Sequence, residues 1–386
     1  MQSLKFLSHI QLLTLSKIDD YEQLLEQINH IIQQAPIYGS VSPPIYMVLV
    51  QVMNMNKGFN TFLNTELNKQ FKLLFQPWAK FLKSKASHYV LNSDEGGWFS
   101  GSALTMLQEY FPEQTFFETF ISEDNPKNLY GFKSFDDFFN RQLQKDICKL
   151  GFPDHPNVIN ATCKSKLYNI AKHVKAMNEF WLKDEPYSLE HMLAGHYIKE
   201  FMGGTVFQGF LEVTGYHHWL SLVTGTIEKI VPIEGTYFAQ SPAIFNGNYY
   251  GSSPPIPGPD LAMNPFLWLL FFITSLTTRL LVFIQSDLEN IGLMCFIAIR
   301  MTEILMCVLS ENIKEGYKVS RGEELGMFHF GGSSHALIFG PNANVTFFEE
   351  YSQPSQHIKV RDVLASVPLW LYVWLYSSDL HDWHRF

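Results

Sequence analysis

The chain has 386 residues, with 28 Lys and Arg against 37 Asp and Glu, and its net charge is −9 with neutral histidines. Its 46% hydrophobic and 17% charged content, together with 33 Phe, is typical of a globular protein and excludes disorder as the main state. No cluster of Lys or Arg stands out, so we predict no binding to nucleic acid.

The cysteines and the N-terminus point to a reducing compartment. No two cysteines have the two-residue spacing of a zinc knuckle or a redox motif, so we predict no metal site and four unpaired thiols: Cys148, Cys163, Cys295 and Cys307. The first 20 residues have an interrupted apolar stretch and no cleavage site of small residues, so we predict no signal peptide. A cytoplasmic location is expected.

The N-terminal part has a helical pattern from about Asp20 to Leu107. Pro43-Pro44 divides this part, and a second periodic stretch runs from Ile45 to about Leu82. Apolar residues recur at three- and four-residue spacing in the first stretch, at Tyr21, Leu24, Leu25, Ile28, Ile31 and Ile32. The region from Ser93 to Tyr130 is rich in loops. We predict a helical N-terminal domain over residues 1–130.

A short helix is predicted between Ser134 and Arg141. Ser134 and Asp137 form an approximate capping pair, and three phenylalanines make one apolar face, which is typical of a helix docked on a core: Phe135, Phe138 and Phe139. Beyond Phe152, short β-type runs are separated by glycines. The predicted fold class is α+β, with a helical N-terminal lobe followed by a β-rich core.

Two apolar runs are candidates for contact with a membrane. Residues Pro265 to Ile284 are long enough to span a bilayer, but they include Arg279, whose burial in hydrocarbon costs several kcal/mol. The second run, Val367 to Tyr376, is half the length of about twenty residues that a spanning helix needs. We predict that neither run spans a membrane and that contact with a membrane surface stays open.

The stretch from Gly316 to Ser334 is the most informative. Its glycines predict tight turns between short strands, and Met327 to Phe330 runs directly into Gly331-Gly332-Ser333-Ser334. The glycines remove side-chain bulk on the N-terminal side of Ser333. Such a run on its own is usually a flexible turn.

Five motifs, taken in order, resemble the pyruvoyl-dependent phosphatidylserine decarboxylase family. They are Phe135-x-x-Phe138-Phe139-x-Arg141, Tyr187-Ser188-Leu189-x-x-Met192-Leu193, Phe201-x-Gly203-Gly204, Tyr216-His217 and Leu325-Gly326-x-Phe328-x-Phe330-Gly331-Gly332-Ser333-Ser334. The resemblance covers roughly residues 131–366 and implies a catalytic domain over 131–386. The preceding part resembles the extra N-terminal region of the fungal branch that includes L-tryptophan decarboxylases. Residues 260–272 and 368–386 have no match.

The resemblance implies a cofactor made from the chain itself. The Ser333 hydroxyl would attack the Gly332 carbonyl carbon, and elimination and hydrolysis would then leave a pyruvoyl group at position 333. Its carbonyl would condense with a substrate amine and draw electrons from the bond to the carboxylate, as pyridoxal phosphate does elsewhere. No pyridoxal phosphate would be needed.

Histidine suits the proton transfers of this chemistry near neutral pH. His217 matches the family's first histidine. His218 and His335 are weaker candidates, and His335 would share a strand face with Ser333. Leu220 stands where the family has its second, processing histidine, and Lys164 stands where it has the orienting acidic residue.

Two functions follow from these residues. The first is a pyruvoyl-dependent decarboxylase that acts on a small molecule, either an aromatic amino acid such as L-tryptophan or the serine head group of phosphatidylserine. The second, motivated by Leu220 and Lys164, is an uncleaved, inactive member that acts as a binding or regulatory protein. The sequence indicates no oligomeric state.

Overall fold

The structure is a computed structural model that describes residues 20–39, 44–53, 55–109, 111, 114–123, 125–177, 187–239, 270–301, 306–351 and 356–368. The prediction about a signal peptide therefore concerns residues that lie almost entirely outside this description. The same holds for residues 260–269 and 369–386, which make up most of the two segments without a family match.

The N-terminal region is helical, as the periodicity predicts. Asp20 and Asn64 cap the first and fourth helices by accepting hydrogen bonds from Gln23 and Leu67 at 2.9 and 3.0 Å. The helices are α1 (Tyr21–Ile31), α2 (Pro44–Met53), α3 (Asn56–Phe62), α4 (Thr65–Leu82), α5 (Gly101–Gln108) and α6 (Phe116–Thr119), with 3-10 turns at Lys85–Val90 and Pro126–Gly131. Helix α4 buries one aromatic face made of Phe71, Phe75 and Trp78.

The short helix α7 (Phe135–Phe139) confirms the prediction for this segment. The Ser134 hydroxyl accepts a hydrogen bond from the Asp137 N–H at 3.1 Å. The three phenylalanines of the predicted apolar face are all fully buried. Because both the cap and the face are local features, the sequence alone was sufficient to predict this element.

The second half of the chain is built from antiparallel strands, which confirms the α+β fold class. The strands are β1 (Val158–Asn160), β2 (Ser165–Lys172), β3 (Thr205–Leu211), β4 (His218–Leu220), β5 (Gly225–Ile233), β6 (Arg279–Ser286), β7 (Leu293–Arg300), β8 (Cys307–Leu309), β9 (Lys318–Val319), β10 (Glu324–Phe328), β11 (Ser333–Phe339), β12 (Thr346–Phe347), β13 (His357–Ile358) and β14 (Val363–Ser366). Further short elements are α8 (Leu189–Met192), α9 (Ile198–Phe201), α10 (Leu270–Leu276) and 3-10 turns at Pro341–Ala343 and Glu349–Tyr351.

One large sheet has β11 near its centre. Its order is β13-β2-β3-β11-β7-β6-β5-β9, and two three-stranded sheets accompany it, β1-β14-β12 and β4-β10-β8. Alternate residues of β11 face two different cores, with Leu337 on one side and Ala336 on the other. The first core also includes residues from the two small sheets, and the second includes α8 and α9.

The apolar run from Pro265 to Ile284 contributes core elements where the structure describes it. Helix α10 and strand β6 lie within it, and most of their described side chains are buried. Within the described ranges, no helix combines the length and the apolar character that crossing a bilayer requires. All four cysteines are unpaired thiols, of which Cys163 and Cys295 are buried.

Candidate active site

Ser333 stands where the chain passes from one sheet to another. Strand β10 belongs to the small sheet with β4 and β8, and β11 begins at Ser333 in the large sheet. Between them Gly331 has a φ of 136°, a backbone conformation that side chains rarely adopt. Gly331, two residues before the serine, is therefore required by this turn and is not merely a flexible spacer.

The Gly332 carbonyl accepts a hydrogen bond, whereas the Ser333 hydroxyl makes none with the described residues. The Met301 N–H donates to the Gly332 oxygen at 3.0 Å, which polarises the carbonyl carbon. The Ser333 side chain is fully buried, yet its Oγ has no hydrogen-bond partner among the described residues. Buried hydroxyls are nearly always bonded in folded proteins, so this exception marks a group that is available for chemistry.

His335 lies on the same face of β11 as Ser333, as the two-residue period of a strand predicts. Its ring is buried, its Nδ1 has no hydrogen-bond partner, and burial lowers its pKa to about 3. A Cβ at Gly209 on β3 would stand 2.8 Å from the ring's Cε1 and 3.0 Å from Ser165 Oγ. Glycine at position 209 therefore makes room for these two polar side chains.

His217 is also buried. Among the described residues, neither ring nitrogen makes a well-formed hydrogen bond, and the ring stacks on Phe139 at 4.1 Å between centroids. Burial first, and then the positive charges of Arg141 and Lys164, hold the pKa of His217 well below its usual value, while the Gly215 backbone opposes this weakly. The imidazole is thus neutral at physiological pH and able to accept a proton.

Arg141, which follows helix α7, binds the loop that precedes His217. Its guanidinium donates to the carbonyl oxygens of Thr214 and Gly215 at 2.6 and 3.0 Å, just before His217. It also stacks over the Phe120 ring at 4.6 Å. Burial lowers the pKa of Arg141 to about 9, so the group remains charged near neutral pH.

His218 has a different role from its neighbour. Its Nδ1 lies 2.8 Å from Glu324 Oε2, and its Nε2 lies 3.0 Å from the Asn140 carbonyl oxygen. Each ring nitrogen therefore has an oxygen acceptor beside it. His218 is a structural bridge between the end of α7 and β10.

Comparisons with known proteins agree with this arrangement. Two family models, both described as phosphatidylserine decarboxylase, match residues 8–107 and 135–366. The chain belongs to the phosphatidylserine decarboxylase family. It is 37% identical to an L-tryptophan decarboxylase of Psilocybe cubensis, over 90% of this chain and 79% of the relative. It is 39% identical to the decarboxylase iboD of Amanita muscaria, over 84% and 91% of the two chains.

Phosphatidylserine decarboxylases themselves are more distant relatives. The proenzyme 3 of Schizosaccharomyces pombe is 28% identical over 63% of this chain and 22% of its own length. Together these relatives show that the chain is a carboxy-lyase, and that it is more similar to the L-tryptophan decarboxylase and to iboD than to the phosphatidylserine decarboxylase of S. pombe.

The two departures from the family pattern lie in adjacent segments of this decarboxylase. The Leu220 N–H donates to the Thr162 carbonyl at 2.9 Å, which places β4 beside the segment that contains Lys164. Leu220 is buried and has no group that could accept a proton. Burial, followed by the charge of Arg141, lowers the pKa of Lys164 well below its usual value.

Sequence reasoning missed a second histidine–carboxylate pair, which lies near Gly331-Gly332. His329 Nδ1 lies 2.7 Å from Asp136 Oδ1, and both side chains are buried. Asp136 is part of α7, so this pair fixes the helix to the residues just before Gly331-Gly332. The available signal was the acidic residue inside the Phe135–Arg141 motif, but its partner is 193 residues away.

Aromatic side chains pack around Phe330, three residues before Ser333, and one of them comes from the N-terminal region. Phe330 packs against three rings, with centroids 5.8, 5.5 and 5.5 Å away, from Trp78, Phe135 and Phe139. Trp78 comes from α4, so the N-terminal lobe contributes directly to the surroundings of Phe330. Within the described residues, no group of three His, Cys, Asp or Glu side chains is suited to hold a metal ion.

Proposed function

We propose that the chain cleaves itself between Gly332 and Ser333 and then acts as a pyruvoyl-dependent decarboxylase of an aromatic amino acid, with L-tryptophan as the reference substrate. The observation that carries the proposal is the buried Ser333 hydroxyl without a partner, next to a Gly332 carbonyl that accepts a hydrogen bond from Met301. These residues fit the formation of a pyruvoyl group.

The cleavage balances as an intramolecular acyl shift. Ser333 Oγ bonds to the Gly332 carbonyl carbon, the C–N bond breaks, and the nitrogen keeps its electron pair and gains a proton, which gives an ester. Loss of the Ser333 α-proton then expels the Gly332 carboxylate, and water replaces the nitrogen, which leaves as ammonia. The Met301 N–H stabilises the negative charge that forms on the Gly332 oxygen during the first step.

We assign the base for the Ser333 proton to His217. A lowered pKa keeps its imidazole neutral, neither ring nitrogen makes a well-formed hydrogen bond with a described residue, and Phe139 packs against both His217 and Phe330. His335 is a second neutral imidazole on the Ser333 face, suited to a proton transfer in the mature enzyme. His218 is excluded from this assignment because its two nitrogens are engaged.

The pyruvoyl group supplies a carbonyl that draws electrons away from the substrate carboxylate. The chain's part is to exclude water and to fix the geometry around position 333. Trp78, Phe135 and Phe139 surround Phe330 and make this region apolar. An aromatic substrate fits an apolar neighbourhood lined partly by the N-terminal lobe, and the identity to L-tryptophan decarboxylases supports the same class.

The test of cleavage is an intact-mass measurement on the purified protein. Cleavage at Gly332–Ser333 divides the 386 residues into chains of 332 and 54 residues. Borohydride reduction in the presence of the amine substrate should then attach the substrate to the 54-residue chain alone. A single uncut chain after days at neutral pH would contradict the proposal and would leave the binding or regulatory function of an uncleaved member.

The test of substrate is carbon dioxide release from L-tryptophan and from phosphatidylserine in micelles, at matched concentrations of cleaved protein. We expect faster release from the amino acid. Release from the lipid alone would reverse the assignment of substrate and leave the assignment of the pyruvoyl group intact.

A further inference from the structure

We propose that Arg300 recognises the carboxylate of the substrate at position 333, which rests on the proposed pyruvoyl function. Neither the five sequence motifs nor the histidine assignments include this residue. The geometry of the sheet places it directly opposite Ser333, since the antiparallel register of β7 and β11 pairs the two residues.

The hydrogen bonds around this pair bring the two side chains close together. The Met301 N–H bonds to the Gly332 carbonyl, one residue to each side of the Arg300–Ser333 pair. This is the pattern of a non-hydrogen-bonded antiparallel pair, in which the two Cα atoms are only about 4.5 Å apart. Directly opposed residues point to the same face of a sheet, so the Arg300 and Ser333 side chains leave the sheet together.

The immediate partners of the Arg300 guanidinium are neutral. The Cys307 thiol and the Tyr237 hydroxyl are the side chains that interact with it most closely. Burial raises the pKa of both partners, so neither is an anion near neutral pH. Glu234 is a carboxylate whose charge acts on Arg300, but it is exposed and lies 2.5 Å from the Lys72 ammonium. Among the described residues, Arg300 forms no ion pair.

Arg279 provides the contrast of a structural arginine in the same sheet. It lies on the neighbouring strand β6, on the opposite face, and its guanidinium donates to the carbonyl oxygens of Met192 and Thr277 at 2.8 and 2.9 Å and also to that of His191. All three of its nitrogens thus have carbonyl acceptors. Arg300 has no comparable set, and its charge is available to a ligand.

The substrate brings the missing anion to this position. Its amine reacts at the carbonyl of residue 333, so its carboxylate is only a few bonds from that residue and within reach of an opposed arginine. A guanidinium binds a carboxylate in a bidentate manner and can fix its orientation. The carboxylate charge disappears as carbon dioxide leaves, so this contact stabilises the bound substrate more than the transition state.

This argument predicts a separation of KM from kcat. In Arg300→Gln, the KM for L-tryptophan should rise roughly thirtyfold while kcat changes less than about threefold. Arg300→Lys should recover part of the loss, because it keeps the charge without the fork. Arg279→Lys is the matched control: it is expected to lower stability and to leave the KM within about twofold.

Two binding probes separate this proposal from the proposed function. Indole-3-propionate has the carboxylate without the amine, and tryptamine has the amine without the carboxylate. Calorimetry measures the affinity of each probe. In Arg300→Gln, the affinity for indole-3-propionate should fall at least tenfold and that for tryptamine less than about threefold, which is the size expected for a lost charged hydrogen bond. Equal weakening of both, or no change in either, overturns the role of Arg300.

A failure of cleavage in the wild-type chain would contradict the proposed function, and the same titration of indole-3-propionate would still decide the role of Arg300. If Arg300→Gln fails to fold or cleave, the test uses the wild-type protein with a second substrate. L-tryptophanamide differs from L-tryptophan only in having a neutral amide in place of the carboxylate. Borohydride trapping of the amide should be at least tenfold slower than that of the acid, by the same estimate, and equal rates overturn the proposal.

Discussion

The two faces of β11 treat adjacent serines in opposite ways. Ser334 Oγ donates to the Gly209 carbonyl at 2.8 Å and accepts from Gln208 Nε2 at 3.3 Å. Gln208 continues the chain to Thr274 and Tyr187, at 2.7 and 2.9 Å, so this face is saturated with hydrogen bonds.

On the other face, Ser333 Oγ and His335 Nδ1 are also buried, and neither has a hydrogen-bond partner in the part of the chain that the structure describes. Burial of polar groups without hydrogen bonds costs about 1 to 3 kcal/mol each. The fold thus satisfies one face of the strand and accepts this cost on the other face, where we propose that cleavage occurs. The comparison separates a structural serine from the serine proposed to react, although the two are neighbours in sequence.

The largest expected effect comes from exchanging these two serines for alanine. Ser333→Ala should abolish the 54-residue fragment completely, because alanine has no hydroxyl that could attack the Gly332 carbonyl carbon. Ser334→Ala should still cleave, with a loss of about 1 kcal/mol in the free energy of unfolding from its hydrogen bonds. Gel densitometry and urea denaturation give the two readouts, and an uncleaved Ser334→Ala protein would remove the distinction between the faces.

The next effect is expected from removing the proposed general base, His217. His217→Ala should slow cleavage by roughly a hundredfold, which is the usual contribution of a positioned general base. His218→Ala should mainly destabilise the protein, because it leaves Glu324 and the Asn140 carbonyl without their shared partner. If His218→Ala stops cleavage in a folded protein while His217→Ala does not, the two roles must be exchanged.

The pH dependence of cleavage sharpens this assignment. A base works in its deprotonated form, which predominates above its pKa. Because burial and nearby positive charge hold the pKa of His217 well below its usual value, the rate should change little between pH 8 and pH 6. A histidine with the ordinary pKa of about 6.5 would lose about three quarters of the rate at pH 6. Quenched time courses over this range distinguish the two cases.

The sequence was sufficient to predict the parts of the structure that depend on residues close together in the chain. Helix α7 followed from its cap and its apolar face, and the shared face of Ser333 and His335 followed from the period of a strand. The pairing of Arg300 with Ser333 did not follow, because sheet register depends on strands that meet only in the folded protein. For the same reason the contact between Asp136 and His329 could not be predicted.

A smaller effect is expected from restoring the family's pattern. Leu220 and Lys164 lie in adjacent segments, joined by the bond between Leu220 and Thr162. In the His217→Ala background, Leu220→His with Lys164→Asp should raise the cleavage rate by about tenfold, because an oriented imidazole would again be available. Lys164→Asp alone should do little, since the carboxylate acts through the histidine. No gain in the triple variant would show that position 220 no longer faces the reacting serine.

The smallest effect on cleavage is expected on the saturated face. Gln208→Met keeps the length of the side chain but removes its hydrogen bonds to Ser334, Thr274 and Tyr187. The free energy of unfolding should fall by about 2 kcal/mol, while the cleavage rate stays within about twofold of wild type.

The reason for this separation is the direction of the side chains. Gln208 acts on the face of β11 that carries Ser334, whereas the Gly332 carbonyl is held by the backbone of Met301, which Gln208 does not contact. A large loss of cleavage in a stable Gln208→Met protein would mean that the hydrogen-bonded network positions Ser333 from behind the strand. The two faces would then form one coupled site, and the polar chain from Tyr187 to Ser334 would belong to the processing machinery.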